Sequence, residues 1–172
     1  MIADAPRPIF PPLDQTARRA ARLAAVQAMY QMELTGLDAE VVAQEFIDHR
    51  FSRDSELTAC GVPDEALFGD IVRGVPHRQT EIDRAIAACL TADWKLSRID
   101  SILRAILRAA AYELIARPDI PAKVIIDEYL DVTHAFLDGD EVGFVNAALD
   151  RLARSKRAGE LGAPPHDDEQ LS

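Results

Sequence analysis

Three arginines near the start of the first helical stretch, Arg18, Arg19 and Arg22, are the residues best suited to chemistry. Spacings of three and four residues put them on one helical arc, where guanidinium forks can grip phosphates or carboxylates. Cations in the first turns oppose the helix dipole, at about 0.3–1 kcal/mol each when exposed, so a ligand is the natural justification. A solvated charged face is the competing reading. A second basic group, Arg151, Arg154, Lys156 and Arg157, ends the last helix, where positive charge complements the dipole.

Other constellations are weaker. His49, His77, His134 and His166 show no paired metal-ligand spacing. Asp131 with His134 is a single acid-x-x-His, half of what a carboxylate-bridged metal bundle repeats. Asp127, Glu128 and Asp131 match the solvated face of an amphipathic helix better than an acid–base pair. There is no P-loop, GxGxxG or nucleophile elbow, so no catalytic residue, cofactor-binding residue or metal ligand is assigned and no enzymatic activity is expected. Cys60 and Cys89 form no CxxC pair, which suits a reducing compartment and gives neither a disulfide framework nor a thiolate site.

The elements that must position the arginines are helical throughout. Alanine occurs 28 times and glycine 8 times, which favours helices packed through small side chains. Thr16 is a cap for a first helix whose stripe is Leu23, Val26, Tyr30 and Leu34, and Gly36 stops it. A second helix follows Asp38 toward Phe51, and a polar loop runs to Gly61 and Pro63. A third starts near Asp64 and continues to Leu90, with a kink or short break at Pro76. Ser97 and Asp100 approximate a capping box before the strongest period, Ile99 to Leu114. Ala105, Ala109 and Tyr112 on its opposite side predict cover on both faces, hence a central place. Pro121 opens the next helix, through Phe136, and Glu141 the last. The fold class is all-α, with a body over residues 17–156, an extended or disordered tail over 1–16 and a disordered acidic tail over 157–172.

The charge balance first argues against nucleic acid: 19 basic and 29 acidic side chains leave the chain at -10 with a pI near 4.8, against a usual pI above about 9 for a compact nucleic-acid-binding domain. Its distribution says more. Residues 38–70 carry -7 and residues 127–141 carry -6, so the remainder is +3. No secretion signal or membrane span is legible, and a soluble cytoplasmic protein is expected.

Five blocks carry a resemblance: Arg18 to Tyr30, Phe68 to Val75, Ile102 to Leu114, Pro121 to Glu128 and Phe144 to Asp150. In order and spacing they resemble the NusB family of bacterial transcription antitermination factors. The resemblance implies two three-helix bundles packed roughly perpendicular around a central helix, and no enzymatic activity. It implies binding to boxA-type single-stranded RNA of nascent ribosomal transcripts, together with the small-subunit ribosomal protein NusE, in the RNA polymerase antitermination complex. Arg18, Arg19 and Arg22 match the family's arginine-rich motif, with Ala20 where many relatives carry a further arginine. Tyr30, Phe136, Asp140 and Phe144 match positions near its RNA or partner surface.

Arginine forks on phosphates, aromatics on splayed bases and a carboxylate on base amino groups form a coherent RNA site. Core packing competes for Tyr30 and Phe136, and an N-cap role for Asp140. Two other classes stay open: a purely protein-binding helical adaptor, and a stand-alone relative of the RNA-binding module of ribosomal RNA cytosine methyltransferases. Monomer and homodimer are both compatible with the sequence, and no membrane partner is expected.

Overall fold

The computed structural model describes residues 12–51, 63–91 and 94–161. They form α1 (Pro12–Thr35), α2 (Ala39–Glu45) running into a π turn (Phe46–Arg50), α3 (Glu65–His77), α4 (Gln79–Cys89), a 3-10 turn (Leu96–Arg98), α5 (Ser101–Ala116), α6 (Ala122–Phe136), α7 (Glu141–Lys156) and a short α8 (Ala158–Leu161). No strand occurs among the described residues, so the chain is all-helical as its composition suggested. Residues 1–11, 162–172 and the 52–62 loop with Cys60 lie outside the described residues.

Several boundaries follow directly from local chemistry. Asp38 caps α2 by accepting from the Glu40 N–H at 3.1 Å, and Asp64 caps α3 by accepting from Leu67 N–H at 3.0 Å. Gly36 ends α1 at φ +68°, a left-handed conformation that glycine adopts without a Cβ penalty. Two expectations shift, at Thr16 and Ser97, and the short break expected at Pro76 is present. The first helix already starts at Pro12, which puts Thr16 inside it rather than at its cap. Asp100, not Ser97, caps α5, accepting from Ile102 N–H at 2.9 Å while Ser97 sits in the preceding 3-10 turn. Pro76 occupies the last turn of α3, and the chain breaks at Arg78 before α4 begins.

Helix α5 is the hub. It touches α1 and α3 on one side and α4, α6 and α7 on the other, so α1–α2–α3 and α4–α6–α7 form two groups sharing one central helix. On α1 the buried face is the alanine face: Ala20, Ala21, Ala24, Ala25 and Ala28 are fully enclosed, whereas Leu34 on the expected stripe is 65% exposed. Small side chains let α1 approach α3 and α5 closely, and this packing outweighs the larger residues' preference for burial. Gly74 serves the same purpose on α3, because a methyl there would run into the Tyr112 ring of α5.

Residues 157–161, placed by composition with the acidic tail, pack instead. Arg157 is buried and donates to the carbonyls of Leu114 at 2.7 Å, Ile120 at 3.0 Å and Arg117 at 2.7 Å, filling the C-terminal end of α5 with positive charge. Glu160 accepts from Ala122 N–H at 2.8 Å, capping α6 from α8. That N–H and Arg157 together hold the Glu160 carboxyl below its ordinary range.

Candidate nucleic-acid interface

The three arginines of α1 do not share one environment. Arg22 is 2% exposed and Glu113 of α5 fully buried; the guanidinium donates through Nε and Nη2 to the carboxylate, the shortest contact being 2.8 Å. Burial alone would lower the Arg22 pKa, but the bond to Glu113 more than offsets it and the group stays charged. The Tyr129 ring lies beside this pair, with its centroid 6.0 Å from the guanidinium carbon. Burial, reinforced by the Glu113 charge, pushes the Tyr129 phenol well above its ordinary value. Arg22 therefore clamps α1 to α5 from inside, and the expected surface of three forks is not formed.

Arg19 faces outward at 50% side-chain exposure and makes two parallel 3.1 Å bonds to Glu128 and a third to Asp131, both on α6. Arg18 lines a surface cleft of about 310 Å³ with Asp119, Asp127 and Glu128. Part of the acidic 127–141 segment thus lies directly against the arginine cluster and lowers its net positive charge. The Asp131 contact is largely solvated, at 55% exposure of its side chain, whereas the Glu128 side chain is only 15% exposed and its contact is partly shielded.

Two of the aromatic residues come together. Tyr30 of α1 and Phe136 at the end of α6 line one groove of about 360 Å³, with the exposed Leu34 beside them and Gln31 and Arg50 in its wall. Tyr30 and Phe136 are both half-buried and line this groove, and Phe136 also packs on the core. Arg50 was missed by sequence reasoning; it lies 4.4 Å over the Phe46 ring and donates to the Gln31 side-chain oxygen at 3.2 Å. A lone cation ending the second apolar stripe was the available signal.

Asp140 and Phe144 lie further along, at the start of α7. Asp140 occupies the N-cap position, but its side chain makes no capping bond, and it is exposed. Phe144, one turn on, packs against Trp94, ring centroids 5.2 Å apart and tilted by 44°. The candidate residues therefore form a buried clamp at Arg22, an arginine rim at Arg18 and Arg19, a groove at Tyr30 and Phe136, and a second aromatic patch at Phe144. The signal for Arg22 lay in its partner, since Glu113 is the only acid in an otherwise apolar and basic stretch from Ser101 to Ala116.

No cluster of three metal-ligating side chains occurs among the described residues, and no described helix is long and apolar enough to cross a membrane.

Comparison with known proteins bears on the family and the fold. Residues 19–154 match the NusB family model. The transcription antitermination protein NusB of Maricaulis maris is 50% identical over 144 residues, covering 84% of this chain and 90% of that protein. Its counterpart from Caulobacter vibrioides is 47% identical over 140 residues, covering 81% and 94%. The structure of T. maritima NusB superposes with a TM-score of 0.67 at 31% identity, covering 80% of this chain and 90% of that one. With a family model spanning residues 19–154 and relatives at about half identity along most of its length, the chain belongs to the NusB family of transcription antitermination factors, which are not enzymes.

Proposed function

We propose that the chain binds boxA-type single-stranded RNA of nascent ribosomal transcripts, together with the ribosomal protein NusE, and so joins the elongating polymerase complex. The observation that carries this reading is the groove between Tyr30 and Phe136, which opens between α1 and the end of α6. Two aromatic edges in a partly apolar groove suit unstacked bases, and every base has a face to stack. Arg18 and Arg19 meet the backbone phosphates by exchanging carboxylate partners for phosphate. Asp140, exposed at the start of α7, accepts from base amino groups. Arg22 contributes by holding α1 in register on α5 rather than by touching RNA.

The net charge of -10 sets the expected behaviour: weak non-specific binding, with the acidic surface left to a basic ribosomal protein. The test is a titration of labelled boxA RNA with and without NusE. Binding that tightens with NusE and weakens steeply with salt supports the reading. One observation favours the adaptor alternative, namely that Glu128 and Asp131 already occupy Arg19. NusE binding with no RNA binding in either titration would establish that alternative.

A further inference from the structure

Trp94 is the single tryptophan of the chain and is 52% exposed, although Phe144 lies against one side of its ring. A ring of this size that served only as packing would gain by burying its other face as well. Its setting is basic. Trp94 donates its backbone N–H to the Thr91 carbonyl at 2.9 Å, two residues past the end of α4. Arg151 reaches the end of α4, donating to the Cys89 carbonyl at 3.1 Å. Lys95 and Arg98 follow Trp94 and are exposed. Arg151 sits seven residues beyond Phe144 on α7, hence two turns along the same face.

Exposed aromatic rings on a surface that also carries cations are how proteins hold single-stranded nucleic acid without reading its sequence. We infer that Trp94 and Phe144 form a second base-stacking platform, with Arg151 taking the adjoining phosphate, so that an RNA strand leaving the Tyr30–Phe136 groove passes Asp140 and continues over α7. This inference rests on the RNA-binding reading above and deepens it. It adds Trp94, which no motif singled out, and Arg151, which dipole complementation alone had accounted for, and lengthens the bound strand beyond the groove.

The test uses the full chain and one boxA-type RNA followed in two ways: anisotropy of the labelled RNA, and intrinsic fluorescence of Trp94 with unlabelled RNA. The expected result is quenching of the tryptophan emission in step with the anisotropy. Trp94→Leu, which keeps an apolar side chain against Phe144, weakens RNA binding about 5- to 100-fold. Trp94→Phe restores most of it. RNA that binds with unchanged tryptophan emission and full affinity for Trp94→Leu overturns the platform and leaves the RNA-binding function standing. Absence of RNA binding by anisotropy overturns both. A Trp94→Leu variant that loses NusE but keeps RNA affinity assigns the patch to protein and likewise overturns the inference.

Discussion

Arg19 and Arg22 stand three residues apart on α1 and belong to one sequence motif, yet they have opposite physical roles. Arg22 is 2% exposed against a fully buried Glu113, whereas Arg19 is 50% exposed against Glu128 and Asp131. The difference lies in which side of α1 each occupies. Arg22 is on the alanine face that lies on α5, and Arg19 is on the outer face. A buried pair cannot release one partner without stranding the other charge in a medium that solvates it poorly. An exposed pair can trade partners freely. One motif therefore supplies a buried structural clamp and a solvent-facing rim.

The largest expected effect breaks this contrast at its inner end. Arg22→Met and Glu113→Leu, made singly, each leave an uncompensated buried group and cost about 3–5 kcal/mol. The pair made together recovers much of that loss, since an apolar replacement of a whole buried ion pair is often neutral. Urea unfolding of the four proteins in this cycle measures it. Additive losses in the double variant would show that the two residues are not coupled. Substituting Arg22 together with Arg19 in an RNA-binding assay confounds unfolding with lost contacts, so the two must be changed separately.

A second clamp extends the comparison to the other end of the chain. Arg157 replaces water at the C-terminal carbonyls of α5 and pairs with Glu160, which in turn caps α6. Arg157→Ala strands several carbonyls and is expected to cost about 2–3 kcal/mol. The urea midpoint falls while the denaturant slope stays constant. Ending the chain at Lys156 produces the same loss. An unchanged midpoint in either variant would place these carbonyls in contact with water.

These two clamps also show what was legible in the sequence. The helices, the break near Pro76 and the central α5 followed from apolar periodicity and from the punctuating residues Gly36, Pro76 and Pro121. Burial on α1 did not, because periodicity weighs large apolar residues and α1 is buried through alanine. The arginine arc was read from spacing, which locates residues on a helix without saying what faces them. Arg157 was grouped with the tail because dipole compensation explains any terminal cation equally well. Trp94 stood outside every stripe, so only its contact with Phe144 gives it a place.

The joint between α3 and α5 provides a titratable measure of how firmly the interior is held. The Tyr112 hydroxyl donates to Asp70 at 2.6 Å, and Arg117 donates to the other oxygen of Asp70 at 3.0 Å. Burial first, and the bond to Asp70 second, push the Tyr112 phenol up to about 12 from an ordinary value of 10. The folded state thus holds the proton more tightly than the unfolded state. Its contribution is complete below about pH 10 and disappears as pH rises through about 12, a loss on the order of 2 kcal/mol. Tyr112→Phe flattens that alkaline slope, measured as the urea midpoint against pH. A slope unaffected by the substitution would assign the alkaline loss to Tyr129, whose phenol is also raised by burial.

The smallest effect on stability sharpens the outer end of the comparison. Arg19→Ala removes a solvated contact to Asp131 and a partly shielded one to Glu128, and changes stability by about 1 kcal/mol. If the rim holds a phosphate, the same substitution lowers the salt dependence of RNA binding by about 0.7, the share of one phosphate on a single strand. Glu128→Gln separates the two partners of Arg19. It removes the carboxylate that competes with RNA, so affinity for boxA RNA rises, by roughly 2- to 5-fold for an exposed pair. Opposite signs for Arg19→Ala and Glu128→Gln, at nearly equal stability, are what a partner-exchanging rim requires. Equal losses in both variants would mean that the Arg19–Glu128 pair acts as a second clamp, and the difference between the inner and outer arginines would then be one of degree.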